Sequence, residues 1–294
     1  MRSGVFAWLV TVTVGASWQL ATRFGVTTTL SPIDLALLRY CIPAIVLCPV
    51  LMRHGFRPAS LSWGTIALIV IGGGLPFGLL GMVGAQFAPA SHMGALLPGS
   101  MPLFVALLSA VWLGEHFTQT RVLGLAAITA GVACVVGPTL FGAAGQVLVG
   151  DGLFLLAGLF WAVYTVAYRS SGLDPWHGAA LICFWSALLA VPIWLLSPGA
   201  SLWSAPFPDI ALQIFAQGIL AGLVGLAAYG AAISHLGASI AAVSGAAVPV
   251  LTAIGGYVLL GEPLSWSTGL GVICVAVGIW IYAGGVRPDA GCDT

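Results

Sequence analysis

Aromatic and polar side chains stand close together at two places in an otherwise apolar chain. Trp18 is followed by Gln19, and Trp161 is followed by Tyr164 and Tyr168. Because residues three and seven apart share one face of a helix, the last three side chains would form a single aromatic stripe. Such a stripe can stack on a planar group or hold a cation over a ring face. The pattern indicates recognition of a small organic molecule.

Three ionisable side chains interrupt long apolar runs. His92 can exchange protons near neutral pH, although a hydrogen-bonded histidine at a helix end is an equally simple interpretation. Asp34 follows Ser31 and is placed to cap the start of a helix. Arg39 lies deeper, about 140° around the same helix, so it needs carbonyl groups or an acid on another helix. We expect coupling or gating roles for His92, Asp34 and Arg39.

The amino-acid composition indicates that these residues belong to a membrane protein. Of 294 residues, 60% are apolar and 5% are charged, lysine is absent and the net charge is zero. A soluble domain carries roughly 25% charged residues, so most of this surface must face lipid. Nucleic acid is excluded as a partner, and the missing lysine excludes a phosphate-binding loop for ATP. Six scattered cysteines without metal-ligand spacing predict neither a metal site nor a cofactor.

The apolar runs predict an all-α polytopic membrane protein with ten transmembrane helices. The runs are continuously apolar, whereas strands of a membrane β-barrel alternate over roughly ten residues. Proline, glycine, serine and arginine residues separate the runs. The predicted spans are 5–21, 33–52, 63–83, 90–113, 122–136, 152–168, 178–196, 210–235, 238–260 and 266–283.

The chain repeats itself at an offset of 147 residues. The tripeptide Leu-Gly-Glu that ends at Glu115 recurs at Glu262. Further residues coincide at the same offset: Pro102 with Pro249, Ala106 with Ala253, Gly124 with Gly271, and Gly131 with Gly278. We therefore predict a first five-helix repeat over residues 1–140, a second over 150–285, and a short cytoplasmic tail over 286–294.

Five spans are an odd number, so the second repeat must enter the membrane from the opposite side. Cytoplasmic loops of membrane proteins collect arginine and lysine. Placing the N-terminus in the cytoplasm puts six arginines on that side and leaves Arg23 outside: Arg2, Arg53, Arg57, Arg121, Arg169 and Arg287. The sequence thus predicts inverted repeats in the inner (cytoplasmic) membrane, with both termini in the cytoplasm.

Inverted repeats favour a transporter that exposes a central site alternately to the two sides of the membrane. A channel would need rings of charges or carbonyl groups, and a membrane enzyme would need a catalytic constellation. Neither pattern is present in the sequence, so we expect no enzyme activity. Scaffolds and integral-membrane lipid enzymes are the alternatives from other classes, and the repeats argue against both.

The order and duplication of several short motifs resemble the EamA type of the drug/metabolite transporter superfamily. These are the paired Leu-Gly-Glu tripeptides, Pro102 and Pro249 within their spans, the Gly-x-x-Trp motifs that end at Trp18 and Trp161, and Leu-Leu-Arg-Tyr ending at Tyr40. Within the superfamily, the chain is most similar to YddG-type exporters of aromatic and other amino acids. The resemblance implies a central cavity for small organic solutes and a substrate of the amino acid class.

Further candidates for the cavity wall lie in the third, eighth and ninth predicted spans. The third span contains Phe77, Met82 and Gln86 after a run of glycines at which it can bend or pack closely. Tyr229 and Ser244 belong to the later spans. The expected substrate-binding residues are Trp18, Gln19, Phe77, Met82, Gln86, Trp161, Tyr164, Tyr229 and Ser244. An aromatic belt at the membrane surface is the alternative for the tryptophans and tyrosines.

The sequence therefore predicts a secondary transporter that exports small amphipathic metabolites, most of all amino acids with aromatic or apolar side chains. The partners implied are a small-molecule substrate and the lipid bilayer. A multidrug exporter that accepts unrelated cations is the rival within transport. Two energy sources stay open: export down the substrate gradient, and proton antiport through His92 or Asp34. The sequence leaves the oligomeric state undetermined.

Overall fold

The computed structural model describes residues 2–113, 117–141, 145–236 and 246–285, and within these ranges it is built from helices without strands. Turns and short loops join the helices. In chain order the elements are α1 (Arg2–Thr28), α2 (Pro32–Val46), α3 (Cys48–His54), α4 (Trp63–Gly73), α5 (Leu75–Phe87), α6 (Ala90–Leu113), α7 (Gln119–Phe141), α8 (Gly145–Arg169), α9 (Pro175–Leu196), α10 (Phe207–Gln213), a π-helical segment (Ile214–Gly225), α11 (Leu226–Leu236), α12 (Val248–Leu260) and α13 (Trp266–Gly284).

Seven helical stretches in the described ranges are long and apolar enough to cross a membrane. An eighth results if α2 and α3, which meet at a bend of 55°, form one broken span. The ten predicted spans are therefore not confirmed by this count. The predicted ninth span begins in residues outside the described ranges, and its described part is the 13-residue helix α12. The all-helical class and the membrane character of the prediction hold.

Two helix breaks follow from local sequence. Pro43 and Pro49 flank the bend at Leu47, where proline removes backbone donors from the helical ladder. The second break separates α4 from α5 at Gly74, whose φ of −104° and ψ of −143° interrupt the helix. The glycine run thus ends α4 and starts α5 in a new direction, with Phe77 in its first turn.

Glycines that coincide in the internal repeat let α7 and α13 cross at backbone distance. A Cβ atom on Gly124 would lie 2.8 Å from the carbonyl oxygen of Gly278. A Cβ atom on Gly131 would lie 2.7 Å from the carbonyl oxygen of Gly271. Since small residues allow close helix approach, these four positions fix the crossing. The repeat offset relates Gly124 to Gly271 and Gly131 to Gly278, so it exchanges the two contacts.

One end of the helix bundle, here called the Arg23 end, carries five ionisable side chains that are buried or partly buried. It is defined by Arg23 near the end of α1, Asp34 and His92 near the starts of α2 and α6, Asp151 in α8, and Glu262 after α12. The opposite end is that at which α8 ends. Large apolar side chains cover the outer surface, as lipid contact requires.

Candidate functional site

A cavity opens among helices from both halves of the chain. Six of the predicted site residues line it, together with apolar side chains of α1, α6 and the π-helical segment. Its described lining consists of Thr11, Val14, Gly15, Trp18, Gln19, Arg39, Phe77, Leu97, Pro98, Met101, Trp161, Ala221, Gly225, Tyr229 and Val248. The wall is largely apolar and aromatic, with few polar groups, as small-molecule sites usually are.

Aromatic rings in tilted and edge-on contact form one wall of the cavity. The Phe77 ring lies between Trp18 and Trp161, with ring centroids 5.6 and 4.5 Å away. Trp161 also meets the ring of Tyr229 at 5.0 Å. Tyr164 lies behind this wall and contacts Trp161 edge-on at 5.1 Å. Rings at these distances offer both faces and edges to a planar ligand.

The break between α4 and α5 is held in place by two side chains and so positions Phe77. The Tyr40 hydroxyl donates to the carbonyl oxygen of Gly74 at 2.6 Å. The Ser186 hydroxyl accepts a hydrogen bond from the backbone N–H of Leu75 at 3.0 Å. The Ser186 bond satisfies the Leu75 N–H, which the break leaves without a helical partner, and the Tyr40 bond adds to the one that the Gly74 oxygen accepts from the Gly78 N–H. The aromatic wall therefore depends on residues of α2 and α9 as well as its own helices.

Polar groups at the rim of the cavity are tied to neighbouring helices. Gln19 accepts a hydrogen bond from the Thr252 hydroxyl at 2.9 Å, which links α1 to α12. The Tyr229 and Thr165 hydroxyl oxygens are 3.1 Å apart. Because the Thr165 hydroxyl donates to the carbonyl oxygen of Trp161 at 2.8 Å, its proton is committed and Tyr229 is the donor between them. With its proton directed at Thr165, the Tyr229 oxygen can take part in a further hydrogen bond only as an acceptor.

Arg39 is the charged residue in the described lining of the cavity. The residue is 3% exposed, and its guanidinium carbon lies 4.7 Å from the Trp18 ring centroid and 5.7 Å from that of Tyr40. Its Nε and Nη1 atoms have no hydrogen-bond partner among the described residues. The indole Nε1 of Trp18 is buried and without a partner in the same way.

The predicted site residues fall into three groups. Trp18, Gln19, Phe77, Trp161, Tyr229 and also Arg39, which we expected at a gate, line the cavity. Tyr164 packs directly behind Trp161. Met82 is buried in the core and Gln86 is exposed, so neither is part of the described lining, and Ser244 lies outside the described residues.

Asp34 joins three chain segments at the Arg23 end. Its carboxylate accepts hydrogen bonds from the backbone N–H and hydroxyl of Ser31, which complete the cap of α2. It also accepts from the indole of Trp194 at 2.7 Å and from the backbone N–H and hydroxyl of Ser201, both at 2.9 Å. The residue is fully buried, and every donor around it is satisfied by one carboxylate.

His92 forms a buried contact with Asp151 that the sequence did not predict. Its Nδ1 atom is 2.8 Å from the carboxylate of Asp151, which also accepts from the Thr139 hydroxyl at 3.0 Å. The Nε2 atom is 3.4 Å from the Thr268 hydroxyl. Asp151 could have been found from the sequence, because it is an acidic residue at the edge of the predicted sixth span. The cluster joins α6, α7, α8 and α13.

An ion pair between Arg23 of α1 and Glu262, which follows α12, closes the same end of the bundle. Arg23 donates from Nε to Glu262 at 2.6 Å and from Nη1 to the carbonyl oxygen of Ala85 at 2.6 Å. The other oxygen of Glu262 accepts from the backbone N–H of Ala90 at 2.8 Å, which satisfies the first turn of α6. Glu115, at the matching position of the first half, lies outside the described residues.

Comparisons with known proteins agree with this architecture. The sequence model of the EamA-like transporter family matches residues 2–137 and 148–284. An uncharacterized transporter of Archaeoglobus fulgidus is 26% identical over 281 residues, covering 93% of this chain and 97% of its own. The uncharacterized transporter YyaM of Bacillus subtilis is 25% identical, with 87% and 86% coverage. A crystal structure with 20% identity covers 96% of both chains at a TM-score of 0.69 and so shares the fold.

Proposed function

The chain belongs to the EamA-like transporter family, and from this premise we propose that it exports small amphipathic metabolites, above all amino acids with aromatic or apolar side chains. The observation that carries the proposal is the aromatic cavity between Trp18, Phe77 and Trp161. Its rings suit a planar or apolar side chain, and its few polar groups suit the charged end of such a molecule.

We further propose that the chain folds as two inverted repeats of five spans, over residues 1–140 and 150–285. The family match in two successive stretches supports two copies of one unit. The glycine contacts between α7 and α13 support a two-fold relation, because the repeat offset exchanges one contact with the other. Two such repeats can rock against each other and expose the cavity to alternate sides.

The proposed orientation has both termini in the cytoplasm and the Arg23 end outside, in the inner membrane. The arginine-rich loops support this orientation. The cavity lining runs from Trp18 back towards Thr11, nearer the start of α1, whereas the Arg23–Glu262 pair, the His92–Asp151 contact and the Asp34 network join helices at the Arg23 end. An exporter in the proposed orientation takes up its substrate from the side at which α1 starts.

The pair of His92 and Asp151 is the proposed coupling site if export is proton-driven. A buried histidine and carboxylate in contact can take up one proton and release it when the helices separate. Asp34 supports this role less well, because its carboxylate already serves five donor groups. His92→Gln is expected to abolish uptake driven by a pH gradient while leaving substrate exchange intact. Unchanged gradient-driven flux in this variant would restrict the protein to facilitated export.

Counterflow of radiolabelled amino acids in proteoliposomes tests the proposed function. Vesicles that contain the purified protein are preloaded with unlabelled phenylalanine, tryptophan or leucine, and no ion gradient is imposed. We expect saturable uptake of the labelled amino acid and none in empty vesicles. If folded protein exchanges no amino acid but exchanges unrelated organic cations, the multidrug alternative replaces the proposal.

A further inference from the structure

Three buried hydrogen-bond donors without partners belong to two neighbouring residues of the cavity lining. They are Nε and Nη1 of Arg39 and Nε1 of Trp18, and the two side chains are in cation–π contact at 4.7 Å. Buried polar groups in folded proteins are almost always hydrogen-bonded, so such a cluster needs an explanation. All three atoms are donors and none can accept a hydrogen bond. The missing partner is therefore an acceptor.

The surroundings of Arg39 supply no negative charge within the part of the chain that the structure describes. The carboxylates of Glu262 and Asp151 contact Arg23 and His92, at the Arg23 end. Asp34, on the same helix, is committed to its serine and tryptophan donors. The side chains and backbone near Arg39 from other helices are uncharged: Trp18, Gln19 and Phe77 in the lining, Cys183 of α9 and Gly222 of the π-helical segment.

A buried guanidinium without an anionic partner is costly, since its charge is removed from water and only the cation–π contacts with Trp18 and Tyr40 offset this loss. A guanidinium also presents parallel N–H groups that match the two oxygens of a carboxylate. The adjoining wall of Trp18, Phe77 and Trp161 accommodates an aromatic or apolar group next to that carboxylate. No carboxylate in the described lining faces the cavity to hold an ammonium group.

We propose that Arg39 and the Trp18 indole bind the carboxylate of the substrate, and that the substrate class is aromatic or apolar monocarboxylates. This inference rests on the proposed function, because it assigns the charged end of the transported molecule. A free amino group is not required for recognition. Amino acids bind through their carboxylate, and organic cations without a carboxylate are excluded.

Three ligands that share a phenylethyl skeleton test the contributions of the carboxylate and of the ammonium group separately. 3-Phenylpropanoate carries only the carboxylate, phenylalanine carries both groups, and phenethylamine carries only the ammonium. Their dissociation constants are measured on the purified, detergent-solubilised full chain, and each is then tested as a competitor in counterflow. We expect 3-phenylpropanoate to bind at least as tightly as phenylalanine and phenethylamine to bind at least roughly tenfold more weakly. Equal binding of phenethylamine and 3-phenylpropanoate, or no binding of either acid, overturns the proposal.

Arginine variants test the residue itself. Arg39→Gln is expected to weaken 3-phenylpropanoate binding by about tenfold to a hundredfold, while Arg39→Lys retains part of the affinity. Arg53→Gln, which removes the same charge from an exposed position in α3, is the matched control and should bind normally. Substitution of an arginine that stabilises the fold would lower the melting temperature. Arg39→Gln should instead leave the melting temperature unchanged or raise it. Normal binding of 3-phenylpropanoate by Arg39→Gln overturns the assignment. Normal binding by Arg39→Lys together with a lowered melting temperature of that variant also overturns it.

The outcomes for the site and for transport are distinct. Arg39-dependent binding of 3-phenylpropanoate without counterflow of any carboxylate leaves the site standing and overturns the transport proposal. Counterflow of phenylalanine that phenethylamine inhibits as strongly as 3-phenylpropanoate does leaves transport standing and overturns the carboxylate site.

Discussion

Arg23 and Arg39 lie on successive helices, yet their surroundings are opposite. Arg23 at the end of α1 pairs with Glu262 at 2.6 Å and donates to the Ala85 carbonyl. Arg39 in α2 is more deeply buried, and two of its nitrogens have no partner among the described residues. A buried polar group with all its bonds made contributes to the fold, whereas one without partners is kept at a cost to stability.

The same contrast separates the Arg23 end of the bundle from its central cavity. At the Arg23 end, Asp34, His92 and Asp151 are buried with hydrogen-bond partners, and the bonds connect helices far apart in sequence. In the cavity, Arg39 and Trp18 hold donors without partners. Variants at the Arg23 end should therefore change stability first, and variants in the cavity should change ligand binding first.

The largest effect is expected for Asp34→Ala. The change leaves the donors of Ser31, Trp194 and Ser201 without an acceptor in a buried site, at a cost of about 3 kcal/mol in the free energy of unfolding. Thermal unfolding in detergent measures it. Asp209→Ala is the matched control, since this half-buried carboxylate accepts a hydrogen bond from the Thr29 hydroxyl and its loss should cost about 1 kcal/mol. Equal costs for the two variants would contradict the structural role of the Asp34 network.

Arg23→Gln is expected to lower the free energy of unfolding by about 2 kcal/mol, because it breaks the ion pair and the bond to the Ala85 carbonyl. The side chains of Arg23 and its partner Glu262 are 19% and 13% exposed, so solvent screening reduces the loss of stability. A double-mutant cycle with Glu262→Gln isolates the pair, since glutamine can still accept from the Ala90 N–H. Arg39→Gln should shift stability in the opposite direction or not at all. Similar losses for both arginines would remove the contrast between the two regions.

Trp161→Ala should weaken phenylalanine binding about tenfold, which corresponds to about 1.4 kcal/mol in binding free energy. Trp161→Phe keeps an aromatic ring at this position and should largely restore the affinity. The reason is that the Trp161 ring meets Phe77, Tyr164 and Tyr229 and so organises the wall. Titration of purified protein with phenylalanine gives the dissociation constants. Trp280→Ala, at a 74% exposed position on α13, is the control. Loss of binding in Trp280→Ala as well would point to general damage rather than to the aromatic wall.

The helical class was readable from sequence because it depends on composition, and the four repeated glycines were marked by their fixed offset, although their contacts were not predicted. Long apolar runs predict helices in lipid, and Gly124, Gly131, Gly271 and Gly278 meet in pairs in the structure. The break at Gly74 was open to two interpretations, a bend or close packing. The structure shows both at neighbouring positions, since a Cβ atom on Gly72 would meet the backbone of Tyr164 at 2.7 Å.

The site was harder to predict because its residues meet across helices. Trp18, Phe77 and Trp161 carry a recognisable aromatic pattern, and they line the cavity. Met82 and Gln86 follow Phe77 at five and nine residues, which places them about 140° and 180° around the helix, so periodicity alone could have separated them from it. The missing partners of Arg39, by contrast, are a property of packing that no local pattern in the sequence contains.

Tyr229→Phe is expected to have the smallest effect. This variant distinguishes recognition of the ammonium group of an amino acid from recognition of its carboxylate. The Tyr229 proton is directed at Thr165, so its oxygen offers the cavity an acceptor and no donor. An acceptor can bind an ammonium group but not a carboxylate, so phenylalanine affinity should fall by roughly threefold while 3-phenylpropanoate affinity stays unchanged. Parallel titrations of the two ligands measure the difference, with Tyr257→Phe on the exposed face of α12 as the control. Equal losses for both ligands would mean that the Tyr229 oxygen serves the packing of the wall. A loss confined to phenylalanine would mean that Arg39 and Tyr229 hold opposite ends of one zwitterion, with the carboxylate contributing the larger share.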